Sequence, residues 1–277
     1  KVMVTDGTGC GDSASVIITD PAVLAASISD SSDVNCMGDS SGSATVTPVG
    51  GTLPYAYLWN DTLAQTDSVA IGLPMGTYTV TVTDSNVCGA VVIVTLTEPA
   101  ALSLSMTNDS VDCFGNATGT ATVTATGGTT NYTYAWDDPS TQSTATADSL
   151  TSGTYQVVVT DSNGCMDSAS VAITEPAEIT LLISDSNHVV CNGDGDGSAT
   201  VSASGGVGTL TYLWDDPSAQ TTTVMASVDG GTYVCVVTDS TGCSNSISFV
   251  VNEPAAITLS VAPSISVACN ADSSATI

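Results

Sequence analysis

Basic side chains are almost absent from this sequence. Its 277 residues contain one Lys or Arg and one His against 28 Asp and Glu, which gives a formal net charge of −27. Because nucleic acids are bound through clustered Lys and Arg, we expect no nucleic acid partner. Charged residues make up only 10% and hydrophobic residues 42% of the chain. The composition therefore predicts packed cores rather than a disordered acidic tail.

Long apolar runs are also missing. No stretch is long enough to span a bilayer, so we expect no membrane insertion. A signal peptide is not recognisable either, since residues 1–6 read as part of a strand. We therefore expect the native start of the protein to lie outside this sequence.

What the sequence does contain is a repeat of 77–78 residues. Trp59, Trp136 and Trp214 are spaced by 77 and 78 residues. The same period relates two cysteine series, which are Cys36, Cys113, Cys191 and Cys269, and Cys10, Cys88, Cys165 and Cys243. Gly-Thr-Tyr, Thr-Asp and Glu-Pro recur with them, and such self-similarity is the signature of a repeat architecture.

These markers divide the chain into three whole repeats, 22–99, 100–176 and 177–254. Residues 1–21 match the end of a preceding repeat, and residues 255–277 match the start of a following one. Half a module would expose its core, so we expect the native molecule to continue in both directions.

Each repeat has the pattern of strands. Residues 120–126 and 78–83 alternate with period two and are rich in Thr and Val, which favour the pleated geometry. Gly-Gly pairs supply turns. A Trp on the third strand and a Tyr opening the sixth (Tyr78, Tyr155 or Tyr233) match landmarks of the immunoglobulin fold. The sequence predicts an all-β chain of tandem immunoglobulin-like sandwiches with about seven strands each, elongated like beads on a string.

Eight of the nine cysteines lie on the repeat grid, which indicates an oxidising compartment. In an immunoglobulin topology the loop between strands A and B, which holds Cys113, and the loop between strands F and G, which holds Cys165, lie at opposite poles of one module. The A–B loop of one module instead faces the F–G loop of the next module. This favours the pairs Cys36–Cys165 and Cys113–Cys243, with Cys10, Cys88, Cys191 and Cys269 pairing elsewhere. Same-repeat pairs (Cys36–Cys88, Cys113–Cys165, Cys191–Cys243) remain the alternative. Cys235 is predicted to be a free buried thiol.

The third repeat carries the full motif set of a known family. It runs Cys191-Asn192-Gly193-Asp194-Gly195-Asp196-Gly197-Ser198-Ala199-Thr200-Val201, then Gly205-Gly206, Tyr212, Trp214, Gly231-Thr232-Tyr233, Thr238-Asp239, Gly242-Cys243 and Glu253-Pro254. This set resembles the SprB-type repeat of very large surface adhesins in gliding and predatory Bacteroidota. The first two repeats depart from it after Cys36 and Cys113.

The resemblance implies export by the type IX route, attachment at the outer membrane, and a role in adhesion, gliding or prey capture. Proteins of that phylum often carry O-glycans on Asp-Ser/Thr followed by an apolar residue or Thr. The matching sites here are Ser13, Thr62, Ser68, Ser110, Ser149, Ser168 and Ser240.

Calcium is the one cofactor with local support. Asn192, Asp194 and Asp196 alternate as in the opening of a calcium loop, although no Glu follows at the expected distance. The carboxylates Asp84, Asp161, Glu98 and Glu175 could also gather calcium between modules. A polar turn is the alternative for the Asn192 loop.

No constellation of catalytic residues is found. His188 has no recurring nucleophile beside it, and a triad would need one. The Trp side chains could stack on sugars, but their place on a central strand favours core packing. We therefore predict a non-enzymatic stalk or filament segment of an adhesin, with a calcium- or carbohydrate-dependent binding array as the alternative. Its expected partners are further repeats of the same chain, a homo-oligomeric bundle or filament, and an external surface or prey cell reached through regions outside this sequence.

Overall fold

The computed structural model describes residues 1–261 and shows that they contain β-strands and no helix. These residues accordingly include no helix long and apolar enough to cross a membrane. The predicted start of a following repeat, including Cys269, falls almost wholly outside the described residues.

Three sets of six strands follow one another with the sequence period. The first set is β3 (Ala25–Ser32), β4 (Gly42–Val49), β5 (Ala56–Trp59), β6 (Val69–Leu73), β7 (Gly76–Thr83) and β8 (Gly89–Leu96). The second is β9 (Ser103–Asp109), β10 (Gly119–Thr126), β11 (Thr133–Trp136), β12 (Thr146–Leu150), β13 (Gly153–Thr160) and β14 (Met166–Ile173). The third is β15 (Thr180–Asn187), β16 (Gly197–Ser204), β17 (Thr211–Trp214), β18 (Val224–Val228), β19 (Gly231–Thr238) and β20 (Ser244–Val251).

Every set forms two three-stranded sheets. The first, second and fourth strands make one sheet, in the order β3-β4-β6, and the third, fifth and sixth make the other, in the order β5-β7-β8. These are the A-B-E and C-F-G sheets of an immunoglobulin sandwich, which confirms the predicted fold class. The predicted count of seven strands was wrong, because strand D is missing.

The missing strand is explained by a tight turn after the tryptophan. The backbone N–H of Trp136 donates to the carbonyl of Gln142 at 3.0 Å, so the chain doubles back at once. The carboxylate of Asp138 accepts the N–H groups of Ser140 (2.9 Å) and Gln142 (2.8 Å) inside this turn. Residues 137–145 are therefore used in the turn, and none remain for another strand.

The core lies between the two sheets of each set. Alternate residues of the fifth strand point inward, and Tyr78, Val80 and Val82 on β7 are buried while the residues between them are partly exposed. Trp59 is 1% exposed and packs with them. This burial follows directly from the period of two in the sequence.

The Gly-Gly pairs are required by close backbone contact as well as by turn geometry. Gly127 and Gly128 have φ of +75° and +56°, where side chains are disfavoured. A Cβ atom on Gly127 would lie 1.9 Å from the carbonyl oxygen of Ala101. The pair therefore lets the chain that leaves β10 pass close to the segment that leads into β9.

A short hairpin precedes the first set. Its strands β1 (Val2–Thr5) and β2 (Gly11–Ala14) pair antiparallel, with Thr5 opposite Gly11. The Asp6 carboxylate accepts the N–H groups of Thr8 and Cys10 at 2.9 Å, as the corresponding Asp does in the later repeats. The assignment of residues 1–21 to the end of a preceding repeat stays a prediction that this similarity supports.

By their contacts, the residues fall into two compact units. The first comprises Lys1–Thr107, Ala121–Ala147 and Thr154–Val171, and the second comprises Asn108–Thr120, Asp148–Gly153 and the chain from Ala172 onward. Strands of the second set contribute to both units.

Candidate functional site: the disulfide-linked loops

Two disulfides join loops that belong to successive strand sets. In the first unit, Cys36 lies between β3 and β4, Cys165 lies between β13 and β14, and their Cα atoms are 5.6 Å apart. In the second unit, Cys113 lies between β9 and β10 and Cys243 between β19 and β20, again with 5.6 Å between Cα atoms. This Cα separation is in the usual range for disulfides.

The same-repeat pairs are not formed in the described part of the chain. Cys36, Cys113, Cys165 and Cys243 are engaged across repeats, which leaves Cys88 and Cys191 as exposed thiols together with Cys10. Cys10 lies between β1 and β2, Cys88 lies before the last strand of the first set, and Cys191 lies after the first strand of the third set.

An aspartate holds each loop that precedes the sixth strand. Asp161 accepts the N–H groups of Asn163 and Cys165 on one oxygen, both at 2.9 Å. Its other oxygen accepts the N–H of Thr129 at 2.8 Å, which ties this loop to the turn after β10. Asp84 and Asp239 make the same three contacts in their repeats. The recurring Thr-Asp motif thus fixes the backbone of the cysteine before the sixth strand, which is disulfide-bonded in Cys165 and Cys243 and free in Cys88.

A glutamate holds each loop that follows the first strand. Glu98 accepts the N–H of Gly38 at 2.7 Å, and Glu175 accepts that of Gly115 at 2.8 Å. These glycines lie two residues beyond Cys36 and Cys113. In the third repeat Glu253 accepts the N–H groups of both Gly193 and Gly230. The Glu of each Glu-Pro marker therefore positions the other cysteine loop.

These hydrogen bonds lower the pKa values of Asp84, Glu175 and Asp239. Burial raises the pKa of Asp239, but hydrogen bonds from Val207, Thr241 and Cys243 outweigh it and bring the pKa to about 2. The pKa of Asp84 is lowered first by the Cys88 N–H, and that of Glu175 first by the Gly115 N–H. Backbone N–H groups thus stabilise the ionised form of these acids, as Lys and Arg side chains do in most proteins.

Polar contacts surround the disulfides. Near the first, the Asn163 side-chain amide donates to the carbonyl of Asn35 at 3.1 Å, and the Cys165 sulfur lies 3.3 Å from the same oxygen. Near the second, the Cys243 sulfur lies 3.3 Å from the carbonyl oxygen of Asp112. The two linkages are therefore built alike.

The predicted core residues lie in the sandwich interiors. Trp59, Trp136 and Trp214 are between 1% and 4% exposed. Their indole N–H groups donate to the carbonyls of Asp67, Thr144 and Thr222. Because a sugar would need an exposed indole face, these side chains are not placed to stack on a ligand. Tyr78 and Tyr155 are buried and Tyr233 is half-buried, with the Tyr78 hydroxyl donating to Pro74 and the Tyr233 hydroxyl to Asp229.

The predicted calcium residues take part in loop hydrogen bonds. Asp196 accepts the N–H of Val190 at 3.1 Å, a place filled by Ser41 and Thr118 in the other repeats. The Asn192 amide donates to Glu253 and to the carbonyl of Pro254. Within residues 1–261 no group of three or more His, Cys, Asp or Glu side chains is arranged to hold a metal. Calcium binding at Asn192, Asp194 and Asp196 stays a prediction, and so does binding at the carboxylates near the disulfides.

The remaining predicted residues have plain surroundings. Cys235 is a buried thiol whose pKa is raised by desolvation. His188 stacks on Phe249 and accepts the N–H of Asn252 at 3.1 Å. The predicted glycosylation sites are exposed except for the half-buried Ser68, and the Ser240 hydroxyl donates to Val207 at 2.7 Å. Glycosylation stays a prediction, which intact mass can test.

One recurring motif was missed in the sequence. The pairs Asp61 and Gln65, Asp138 and Gln142, and Asp216 and Gln220 form the turns after the tryptophans. The Gln220 side-chain amide also donates to the carbonyl of Ala226 and accepts its N–H. These two hydrogen bonds fix the fourth strand of the set, β18. The spacing Asp-x-x-x-Gln recurs with the repeat period and was a detectable signal.

Solved structures that match this chain include tandem immunoglobulin domains. The N-terminal eight Ig domains of Down syndrome cell adhesion molecule match 91% of this chain, with 11% identity and a TM-score of 0.29, and the chain spans half the length of that protein. A tetra-tandem repeat in the extending region of a large adhesion protein matches 91% of this chain and 80% of its own, with 16% identity and a TM-score of 0.27. Drosophila OTK extracellular domains 3–5 match 77% of this chain and 91% of their own, with 13% identity and a TM-score of 0.28. No curated protein sequence matches the chain.

The model of one repeat family matches the chain three times, at residues 28–63, 107–141 and 183–219. Each match begins in the first strand of a set and ends just after the tryptophan strand, so it includes the loop with Cys36, Cys113 or Cys191. The family is the SprB repeat, which occurs in cell-surface adhesins. This chain is therefore similar to the SprB repeat at three places, one in each set of strands.

Proposed function

We propose that this chain is a load-bearing segment of the stalk of a large secreted adhesin, held at the outer membrane after type IX export. Its role in attachment, gliding or prey capture is mechanical and non-enzymatic. The observation that carries the proposal is that both disulfides link one repeat to the next. A bond placed there resists separation of repeats, whereas a same-repeat bond would stabilise only one sandwich.

The chemistry of the repeats supports the same role. The carboxylates nearest the disulfides accept backbone N–H groups, and the tryptophans are buried. Both groups stabilise the repeat itself, which supports a role in holding shape. Disulfides also favour an extracellular location.

Antibodies raised against the purified chain would test this proposal on intact producing cells. We expect labelling of surface filaments without permeabilisation, and weaker attachment under flow when the gene is deleted. Label confined to the cell interior, or unchanged attachment in the deletion strain, would overturn the proposed function.

A further inference from the structure

We propose that the two interleaved disulfides form a covalent bypass that carries tension around most of the intervening chain and limits how far the protein can be stretched. This inference rests on the proposed load-bearing role, and it concerns how force passes through the repeats.

The bypass follows from the order of the cysteines. The first bond joins residues 36 and 165, the second joins 113 and 243, and their sequence separations are 129 and 130. Both separations exceed the length of one repeat, so Cys113 lies inside the loop that the Cys36–Cys165 disulfide closes. Disulfides within single repeats would instead form three separate loops.

The bond shortens the covalent path between distant repeats. From Cys36 to Cys191 the backbone runs through 155 residues, but the path through the first disulfide leaves only 26 residues, from Cys165 to Cys191. From Cys88 to Cys243 the second disulfide leaves only 25 residues, from Cys88 to Cys113. Each short path contains the last strand of one repeat and the first strand of the next, which are β14 and β15 in the first case and β8 and β9 in the second.

Most of the chain between the two points of load is shielded from tension. When tension is applied at Cys36 and Cys191, residues 37–164 form a closed loop that carries no load once the disulfide is taut. Strands β4 to β13 lie in that loop. The force enters at loops whose backbones are fixed by Glu98 and Asp161, so the bond connects folded supports and not mobile segments.

The full chain, tethered at its two ends and pulled to full extension, tests the bypass. Counting one residue for each Cα-to-Cα step, the oxidised path has 35 residues up to Cys36, 52 from Cys113 to Cys165 and 34 from Cys243 to the last residue, which makes 121 residues or about 410 Å at roughly 3.4 Å per residue. A dithiol gives each disulfide two electrons and two protons, yields two thiols and itself becomes a disulfide. The reduced path should then be 276 residues, about 940 Å.

Matched double variants separate this connectivity from the same-repeat scheme, which has nearly the same total length. Removing one crossing bond in Cys113→Ser with Cys243→Ser should give 147 residues, about 500 Å, whereas same-repeat pairing predicts 224 residues, about 760 Å. The control, Cys88→Ser with Cys191→Ser, should stay at about 410 Å but would also reach about 760 Å with same-repeat pairing.

The extended length depends on covalent links alone. A variant that folds too poorly to form its remaining bonds is recognised by a length of about 940 Å before reduction, and the other double variant then decides. A length of about 760 Å in either double variant, or no change on reduction, would overturn the bypass. Neither result bears on surface labelling or attachment, so failure of the bypass and failure of the proposed function are distinguishable.

Discussion

At the scale of single residues, the chain folds with many acidic side chains and almost no basic ones. Asp84, Asp161 and Asp239 are buried, yet each accepts at least three backbone N–H groups. An aspartate side chain is short enough to reach amides two and four residues ahead, which a longer Glu would overshoot. Each acid therefore stabilises a loop as an ion without a cationic partner.

This arrangement predicts acid sensitivity. The Asp239 pKa is about 2 when folded and about 3.9 in an unfolded chain, so its stabilising effect is complete above pH ~4 and is lost as the pH falls toward 2. Thermal unfolding measured from pH 6 to pH 2 should show a falling midpoint below pH 4. Asp239→Asn should lower the midpoint at pH 6 and flatten this dependence, while unchanged curves would contradict the assignment.

The glutamate of the Glu-Pro marker is expected to act on disulfide formation. Glu175→Ala removes the acceptor of the Gly115 N–H and frees the loop of Cys113, so Cys113–Cys243 should re-form several-fold more slowly after reduction. Quenched peptide mapping at successive times measures both bonds in one sample. Cys36–Cys165, whose loop is held by Glu98, is the internal control, and Glu175→Gln should keep the wild-type rate.

At the scale of strands, a glycine sets the spacing of the two sheets. Gly42 opens β4, and a Cβ atom there would lie 2.6 Å from the Leu73 carbonyl oxygen and 2.8 Å from a methyl of Leu96. Gly119 and Gly197 meet the same obstacles in the other repeats. Only a residue without a side chain lets the second strand lie this close to the fourth strand of its own sheet and to the sixth strand of the other sheet.

Gly42→Ala should therefore destabilise the first repeat by about 1–3 kcal/mol, as expected for overpacking. Chemical denaturation of the purified chain measures the change. Gly89→Ala is the matched control, because Gly89 also begins a strand but has no heavy atom within 4 Å of the added Cβ. Equal losses in the two variants would show that close packing at Gly42 is not the cause.

Much of this strand arrangement could be predicted from sequence. The alternation of Thr and Val placed β7 and β10 to within two residues, because a period of two in the sequence follows from side chains that point alternately inward and outward. The absence of strand D depends on the turn of Asp138 and Gln142, in which the Asp138 carboxylate accepts the backbone N–H groups of Ser140 and Gln142. The recurring Asp-x-x-x-Gln spacing signals this turn, but spacing alone does not show that the turn replaces a strand. The cysteine spacing left two pairing schemes open, because spacing alone does not say which poles of two sandwiches meet.

At the scale of the whole molecule, electrostatic repulsion opposes compactness. The net charge is −27, and the chain has one Lys or Arg to offset it. Salt shortens the Debye length from about 30 Å at 0.01 M to about 8 Å at 0.15 M, so repulsion between repeats is screened. The chain is therefore expected to be more stable in salt than in dilute buffer.

This expectation is opposite to that for proteins held by surface ion pairs. The unfolding midpoint should rise by several degrees between 0.01 M and 0.15 M NaCl, measured by calorimetry at pH 7. Calcium chloride at matched ionic strength separates screening from binding, since a further rise with calcium alone would indicate a specific site. A midpoint that falls with salt would contradict the repulsion argument.

The buried thiol of Cys235 bears on the order in which the chain folds and is oxidised. It lies on β19 only eight positions before Cys243, yet it is 0% exposed and its raised pKa keeps it protonated. An oxidant that reached the nascent chain before β19 had packed would find an extra competitor for Cys113. We therefore expect the third sandwich to close before its bridge is made, with packing first and oxidation second.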